Sequence, residues 1–219
     1  MSRLRLGVLI SGRGSNLQAL IDACADPGFP AEIVRVIANV PGAAGLEAAA
    51  RAGLATATVD HKTSPGREPF DAALTAELEA AGAQLVCLAG FMRLLTPGFV
   101  EHWRDRLINI HPSLLPAFTG LHTHRRAIEA GCRVAGVTVH FVTGELDGGP
   151  IIAQAAVPVL AGDDENTLAA RVLKQEHVLY PQVVRWFVDG RLSLRDGRAV
   201  LTGDASAGDA ALCVPGADD

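Results

Sequence analysis

Several features that would place the chain in a specialised class are scarce in its 219 residues. Its four cysteines stand far apart without any CxxC pair, so neither a disulfide framework nor a thiolate metal cluster is expected. It has no basic block, and its formal net charge of −5 argues against a nucleic-acid-binding surface. No apolar run approaches the ~20 residues of a membrane span, and the N-terminal run is too short for a signal peptide. We therefore expect a cytoplasmic protein with reduced thiols that binds neither nucleic acid nor membrane.

The composition that remains is that of a globular α/β protein. Aromatic residues make up only 5% of the chain, whereas 49% of it is hydrophobic and 20% charged. The length is ample for one sizeable core. We expect a single domain over residues 1–202, because no linker or repeat interrupts them. Residues 203–219 lack Lys and Arg and are rich in Gly, Ala and Asp, which predicts a disordered acidic tail.

Apolar runs and helical patterns alternate along the chain. Strands are predicted over residues 4–10, 32–38, 54–60, 84–90, 107–110, 134–142 and 151–159. Helices are predicted after the first five strands and over residues 163–189, with Asp163 or Asp164 as the N-cap. A terminal hairpin is predicted around Asp196-Gly197. The alternation up to about residue 115 predicts a doubly wound, mostly parallel sheet flanked by helices, with a Rossmann-like N-terminal half.

The sequence SGRGSN, residues 11–16, follows the first strand and opens the first helix. Gly12 and Gly14 permit a sharp turn, and the free N–H groups of a helix start favour an anion. The pattern is neither GxGxxG nor a Walker A sequence, so a single phosphate on a small molecule is favoured over a nucleoside triphosphate. The alternative is a plain turn in which Ser15 or Asn16 only caps the helix.

The stretch NIHPSLLPAFTGLHTH, residues 109–124, allows three interpretations: a metal cage, a catalytic loop or a structural turn. His122 and His124 are two residues apart, and no cysteine is near, so the spacing is poor for zinc. Asn109 and His111 alternate at the end of a strand and should project to the same side. A His can act as general acid or base, and an amide can donate to an oxyanion.

A third polar group stands in the loop ELDGGP between the last two sheet strands. Asp147 there could stabilise the charged form of a histidine or order a water. The glycines at 148 and 149 would let the backbone approach a ligand closely. Turn chemistry alone accounts for this sequence equally well, as a simple hairpin.

Taken together, these motifs resemble a known family. The sequences ISGRGSNLQALIDAC, LAGFMRLLTPGFV, INIHPSLLPAFTGLHTHRRAIEAG, GVTVHFVTGELDGGPII and QEHVLYPQVVRWFVDGRL occur in this order between residues 4 and 201. They are similar to those of the folate-dependent phosphoribosylglycinamide formyltransferases. HPSLLP with LDGGP marks the wider superfamily that uses formyltetrahydrofolate, and SGxGSNLQ with GLHTHRRAI marks the narrower family.

The resemblance implies the formyltransferase fold and an enzyme of purine biosynthesis. Such an enzyme transfers the formyl group of 10-formyltetrahydrofolate, its co-substrate, to the primary amine of glycinamide ribonucleotide. No metal is required, and the protein is expected to be a monomer or a homodimer. Residues 1–115 would form the side of the phosphate-bearing substrate, and residues 116–202 the folate side with the closing helix.

The resemblance also implies roles for individual residues. The catalytic trio would be Asn109, His111 and Asp147, in which Asn109 and protonated His111 stabilise an oxyanion and Asp147 supports the imidazole and orders a water. Residues implied for the ribonucleotide are Gly14, Ser15 and Asn16 at its phosphate, Arg67 near this phosphate, and Glu176 at the ribose hydroxyls. Residues implied for folate are Met92, Arg93, Leu94, Leu95, Asn109, Thr143, Gly144, Glu145, Leu146 and Asp147.

Other functions stay open at this point. Within the superfamily the alternatives are a formyltetrahydrofolate deformylase, a methionyl-tRNA formyltransferase and a sugar-nucleotide formyltransferase. Outside it, the glycine loop alone could serve a phosphate-binding module without catalysis. We expect His122 and His124 to pack and position the loop, and His140 to occupy a hydrogen-bonded position in the core or the site wall.

Overall fold

A sheet of seven strands in the order β3-β2-β1-β4-β5-β6-β7 forms the centre of the molecule. Its strands are β1 (Leu4–Ile10), β2 (Ala31–Ala38), β3 (Thr56–Thr58), β4 (Leu85–Leu88), β5 (Leu107–His111), β6 (Val134–Phe141) and β7 (Ile151–Pro158). Strands β1 to β5 pair in parallel, whereas β6 pairs with both β5 and β7 in antiparallel fashion. The prediction of a doubly wound, mostly parallel α/β sheet is therefore confirmed.

Helices cover both faces of this sheet. They are α1 (Ser15–Ala25), α2 (Ala44–Arg51), α3 (Arg67–Ala80), α4 (Pro97–His102), α5 (Thr123–Glu129) and α6 (Glu165–Val188). The hairpin of β8 (Leu192–Arg195) and β9 (Arg198–Leu201) follows α6. Its turn residues Asp196 and Gly197 both have positive φ, as a two-residue type I′ turn requires.

This computed structural model describes residues 3–203 and residue 214. The tail predicted over residues 203–219 lies outside the described residues apart from Gly203 and Val214. Within the described part, none of the helices combines the length and the apolar character that crossing a membrane would demand.

Alternation along β1 shows how the sheet divides the core into two layers. Leu6, Val8 and Ile10 pack into the cluster that contains residues of α1 and α6. Leu9 packs into the opposite cluster, with residues of α3 and α4. A strand segment that is covered on both faces must be apolar, which is why β4 and the buried residues 6–10 of β1 carry no polar side chain, whereas Arg5 lies at the exposed start of β1.

Strand β3 shows the largest difference from its predicted bounds, and α6 shows which of the two candidate N-caps is used. Strand β3 covers only Thr56–Thr58 of the predicted 54–60, because it lies at the sheet edge and pairs only with β2. At the start of α6, Asp164 is the N-cap, and it exchanges hydrogen bonds with Thr167 in a capping box.

The strand order reverses between β1 and β4, since the chain runs outward from β1 to β3 and then returns to β4 and β5. In open parallel sheets the crevice beyond the carboxyl ends of such strands is the place where ligands bind. The loops that follow β1, β4 and β5 all meet at this edge. The first of these loops carries Gly14, the second carries segment 92–95, and β5 itself delivers Asn109 and His111.

Candidate active site

The glycine loop, residues 11–16, joins β1 to α1 by a turn that needs glycine. Gly14 is the N-cap of α1 with φ of 74°, in the left-handed region, and no side chain caps the helix. A Cβ added at Gly14 would lie 3.0 Å from the Cα of Gly45. Ser15 and Asn16 therefore do not cap the helix, and among the described residues no side chain accepts from the N–H groups at the start of α1.

Asn16 and Glu176 meet in a buried contact between α1 and α6. The Asn16 amide Nδ2 donates to the Glu176 carboxylate oxygen Oε2 at 2.5 Å. Burial raises the pKa of Glu176, and the hydrogen bond from Asn16 only partly opposes this. The structure thus brings together two residues that the sequence analysis assigned to the ribonucleotide, at the start of the helix that follows the glycine loop.

His111 ends β5 with both ring nitrogens facing acceptors. It is only 7% exposed. Its Nε2 lies 3.0 Å from the carbonyl oxygen of Phe118, and because a carbonyl can only accept, the Nε2–H donates. Its Nδ1 lies 3.7 Å from the Asp147 carboxylate oxygen Oδ2. The Nδ1 is therefore the ring nitrogen that faces the carboxylate.

Asp147 reaches this position from the loop between β6 and β7. Its backbone is left-handed, with φ of 53°, and its side chain is buried. The same Oδ2 that faces His111 accepts the backbone N–H of Gly120 at 2.7 Å. A Cβ at Gly149 would lie 1.8 Å from the carbonyl oxygen of Phe141, so the chain can turn back into β7 only with glycine there.

Asn109 is oriented by a residue that the sequence did not assign to the site. His140 lies opposite Asn109 in the antiparallel pair of β5 and β6. The Asn109 amide Nδ2 donates to His140 Nε2 at 3.2 Å, while His140 Nδ1–H donates to the carbonyl of Phe141 at 2.8 Å. Burial lowers the pKa of His140, which keeps Nε2 an acceptor near neutral pH. His140 is thus buried and hydrogen-bonded, as predicted.

The segment 92–95 follows β4 at the same edge of the sheet. Met92 and Leu94 are 64% and 60% exposed, which is unusual for large apolar side chains. Arg67, at the start of α3, donates to the carbonyl of Leu94 at 2.9 Å and also reaches that of Leu95. The contacts of Arg67 are therefore with the segment assigned to folate, although the sequence analysis assigned Arg67 to the phosphate.

Known proteins share this chain's sequence and fold. The model of the formyl transferase family matches residues 4–184. The chain belongs to the formyl transferase family. It is 52% identical over 200 residues to the phosphoribosylglycinamide formyltransferase of Escherichia coli, covering 91% of this chain and 94% of that protein. It is 53% identical over 192 residues to the trifunctional purine biosynthetic protein adenosine-3 of Drosophila pseudoobscura pseudoobscura, covering 87% of this chain and 14% of that protein.

A solved structure of the family extends the likeness to the fold. The glycinamide ribonucleotide transformylase 1 of Symbiobacterium toebii is 49% identical to the chain and superposes with a TM-score of 0.89. The alignment covers 91% of this chain and 94% of that one. The element order and the mixed sheet described above are therefore those of a formyl transferase.

A cavity of about 390 Å³ lies beside the residues assigned to folate in this formyl transferase. It is bounded by α4, the β8–β9 hairpin, Thr143 and Gly144, and none of the trio lines it. Leu146, in the same loop, is 55% exposed. Of the 143–147 loop, the part before Glu145 thus faces the cavity, whereas Asp147 turns towards His111.

His122 and His124 lie at the start of α5. His122 is the exposed N-cap, with φ of 57°. His124 is half-buried, and burial lowers its pKa. Among residues 3–203 and residue 214, no group of three His, Cys, Asp or Glu side chains is arranged to hold a metal ion. His122 and His124 thus belong to the start of a helix and not to a metal-binding cluster of the described residues.

Proposed function

We propose that this chain transfers the formyl group of 10-formyltetrahydrofolate to the primary amine of glycinamide ribonucleotide. The products are N-formylglycinamide ribonucleotide and tetrahydrofolate. The observation that carries this proposal is the meeting of His111 and Asp147 at 3.7 Å, beside Asn109 and at the sheet edge that also bears the glycine loop. An uncapped helix start suits a phosphate, and the buried polar trio suits acyl transfer.

Asn109 is suited to stabilise the charge that develops on the formyl oxygen. When the amine attacks the formyl carbon, a C–N bond forms and the carbonyl oxygen becomes an oxyanion. One N–H of the Asn109 amide is held by His140, which leaves the second N–H to donate to that oxygen. Because the donor is fixed before the reaction, it costs little reorganisation in the transition state.

His111 and Asp147 are suited to manage charge and protons. A charged imidazole at His111 adds a second electrostatic partner for the oxyanion, and Asp147 stabilises that charge at short range. Through a water, Asp147 accepts the proton that the attacking amine loses. The bond between the formyl carbon and N10 of the folate then breaks, and N10 takes up a proton as it leaves.

The remaining assigned residues supply binding. Gly14, Ser15 and Asn16 bind the phosphate at the start of α1, and the buried carboxylate of Glu176 accepts hydrogen bonds from the ribose hydroxyls. Segment 92–95 and loop 143–147 bind the folate. Arg67 holds segment 92–95 through its hydrogen bond to the carbonyl of Leu94.

We assign these functions to one domain, residues 1–202, with the ribonucleotide on the side of residues 1–115 and the folate on that of residues 116–202. We propose that the protein works as a monomer or homodimer in the cytoplasm, without a metal.

The test is an absorbance assay for folate product with purified protein, 10-formyltetrahydrofolate and glycinamide ribonucleotide. Product should form only when all three are present, and Asp147→Asn should abolish most of the rate. Formyl release without the ribonucleotide would instead indicate a deformylase. Formylation of initiator methionyl-tRNA in a parallel reaction would indicate a tRNA-directed enzyme. Binding of the ribonucleotide without any formyl transfer would indicate a phosphate-binding module that has no catalytic activity.

A further inference from the structure

Ser11 occupies the point where the sheet order reverses, and its hydroxyl is used twice. The backbone N–H of Met92 donates to Ser11 Oγ at 2.7 Å. The same hydroxyl donates to the side-chain oxygen Oδ1 of Asn39 at 2.5 Å. Ser11 begins the glycine loop and Met92 begins segment 92–95, so this side chain connects the two.

A backbone contact reinforces the connection. The N–H of Ser11 donates to the carbonyl of Gly90 at 3.1 Å. Ser11 is therefore bonded on both sides of Phe91, at the exit from β4. Both the backbone and the side chain of Ser11 thus bond to the residues that lead into segment 92–95.

Asn39 sets the direction of the Ser11 hydroxyl. It is 2% exposed at the carboxyl end of β2, where its backbone N–H donates to the carbonyl of Ile10 at 3.3 Å. His61 Nδ1–H donates to the Asn39 carbonyl at 2.7 Å and holds it from the other side. Because Asn39 Oδ1 takes the hydroxyl proton, a lone pair of Ser11 Oγ is left for Met92.

The far end of the segment is held independently. The backbone N–H of Thr96 donates to the buried carboxylate of Asp71, on α3, at 2.6 Å. Asp71 is a buried residue of α3, and its hydrogen bond to Thr96 does not involve the glycine loop. Segment 92–95 is thus anchored at both ends, but Ser11 provides the anchor that is shared with the ribonucleotide side.

We propose that Ser11, held by Asn39, is a positioning residue that couples the two substrate sites. Occupation of the glycine loop by the ribonucleotide phosphate fixes Ser11, and Ser11 in turn fixes the backbone that binds the folate. Binding of either ligand therefore increases the affinity for the other by the same factor, as linkage requires. This inference rests on the proposed function, because it takes the two sites to be those of the ribonucleotide and the folate.

The experiment measures the affinity of tetrahydrofolate by calorimetry, with and without saturating glycinamide ribonucleotide. Tetrahydrofolate carries no formyl group, so no turnover disturbs the measurement. For the native chain we expect the ribonucleotide to tighten binding by at least about 5-fold, the lower end of ordinary coupling. In Ser11→Ala this factor should fall close to unity.

Three further variants separate positioning from general damage. Ser64→Ala removes a hydroxyl whose one hydrogen bond within the described part of the chain is to the carbonyl of Asp60, and it should change nothing. Asp71→Ala frees the other end of the segment, so it should weaken tetrahydrofolate binding but preserve the coupling factor. Asn39→Ala retains the Ser11 hydroxyl but releases its direction, so it should lower the factor less than Ser11→Ala does. Thermal melting identifies any variant that does not fold.

Kinetics add a second measurement. Ser11→Ala should raise the KM for 10-formyltetrahydrofolate more than it lowers kcat, because Ser11 does not touch the reacting atoms. A coupling factor of unity in the native chain, or an unchanged factor in both folded variants at Ser11 and Asn39, would overturn the inference. A native chain that couples the ligands without transferring a formyl group would refute the proposed function and leave the coupling intact.

Discussion

The two sides of the site are built in opposite ways. The glycine loop presents backbone: Gly14 makes the turn, and the start of α1 has no side-chain cap. The trio presents side chains, each held by another group, as Asn109 is by His140 and Asp147 by Gly120. Binding a phosphate needs a shape that many backbones can provide, whereas acyl transfer needs particular atoms in fixed directions.

The strand directions explain this difference. Where β1 runs parallel to its neighbours, its carboxyl end leads into a helix and exposes N–H groups. Where β5 pairs antiparallel with β6, Asn109 and His140 come to lie directly opposite each other. The same edge of the sheet thus offers backbone donors at its centre and paired side chains towards β6. Adding atoms should damage the first region, and removing atoms should damage the second.

The largest effect is expected from removing a side chain of the trio. His111→Ala should lower kcat by about 10²–10⁴-fold, the usual contribution of an acid–base group. Asn109→Ala should lower it by about 10²–10³-fold, as for other oxyanion donors. Steady-state kinetics measure both losses. Circular dichroism should show that both variants fold, and a near-native rate in either would remove that residue from the mechanism.

An intermediate effect is expected from adding atoms to the glycine loop. Gly14→Ala forces a side chain into a left-handed backbone, which costs ~1–2 kcal/mol, and brings it against Gly45. Because the loop relieves this strain by leaving the conformation that binds the phosphate, the KM for glycinamide ribonucleotide should rise by up to about 10-fold, the factor that corresponds to 1.4 kcal/mol. The matched variant Ser15→Ala should cost less. A larger loss in Ser15→Ala would mean that side chains, not backbone, dominate the phosphate site.

A smaller effect is expected at His140, which holds Asn109 without reaching the substrate. Replacing it with Phe removes one hydrogen bond of ~0.5–1.5 kcal/mol, so kcat should fall about 2- to 10-fold. The KM for the ribonucleotide should stay near its native value. If the loss equals that of Asn109→Ala, the amide depends on His140 entirely. If kcat does not change, Asn109 holds its orientation without it.

The smallest effect is one of stability, at the buried contact between Asn16 of the glycine loop and Glu176 of α6. Because burial raises the pKa of Glu176, its ionisation destabilises the fold as the pH rises above the ordinary value for Glu of about 4.3. Glu176→Gln should therefore increase the melting temperature at pH 7, by about 2–4 °C for each kcal/mol relieved. Below the ordinary pKa of Glu the gain should vanish. The same variant should weaken ribonucleotide binding, and a lower melting temperature at pH 7 would contradict the argument.

How far the sequence predicts this molecule depends on the range of the interaction concerned. Local patterns predict the strands, the helices and the two-residue turn at Asp196-Gly197, because period and turn chemistry are local. Asn109 and His111 are predicted to project together by alternation within one strand. The contact of Asn109 with His140 requires the antiparallel register of β5 and β6, which no local pattern encodes.

Long-range contacts also explain the other differences. Arg67 bonds to Leu94, a residue distant in sequence, and only the packing of α3 beside segment 92–95 reveals it. Strand β3 is shorter than its apolar run because pairing at a sheet edge, not propensity, decides where a strand ends. The Ser11–Asn39 contact is likewise invisible in the sequence, where 28 residues separate the two. The assignments of phosphate, ribose and folate residues depend on family resemblance and remain predictions, because no local pattern encodes them.

The bond from the Gly120 N–H to Asp147 gives this chain a built-in spectroscopic probe. The Asp147 oxygen that accepts this N–H is the one that faces His111, so the amide proton chemical shift should follow any change in the contact between Asp147 and His111. A single crosspeak in a ¹H–¹⁵N spectrum, followed as glycinamide ribonucleotide is added, would then report whether the ligand moves this pair. Because the probe is a backbone group, reading it requires uniform ¹⁵N labelling but no substitution.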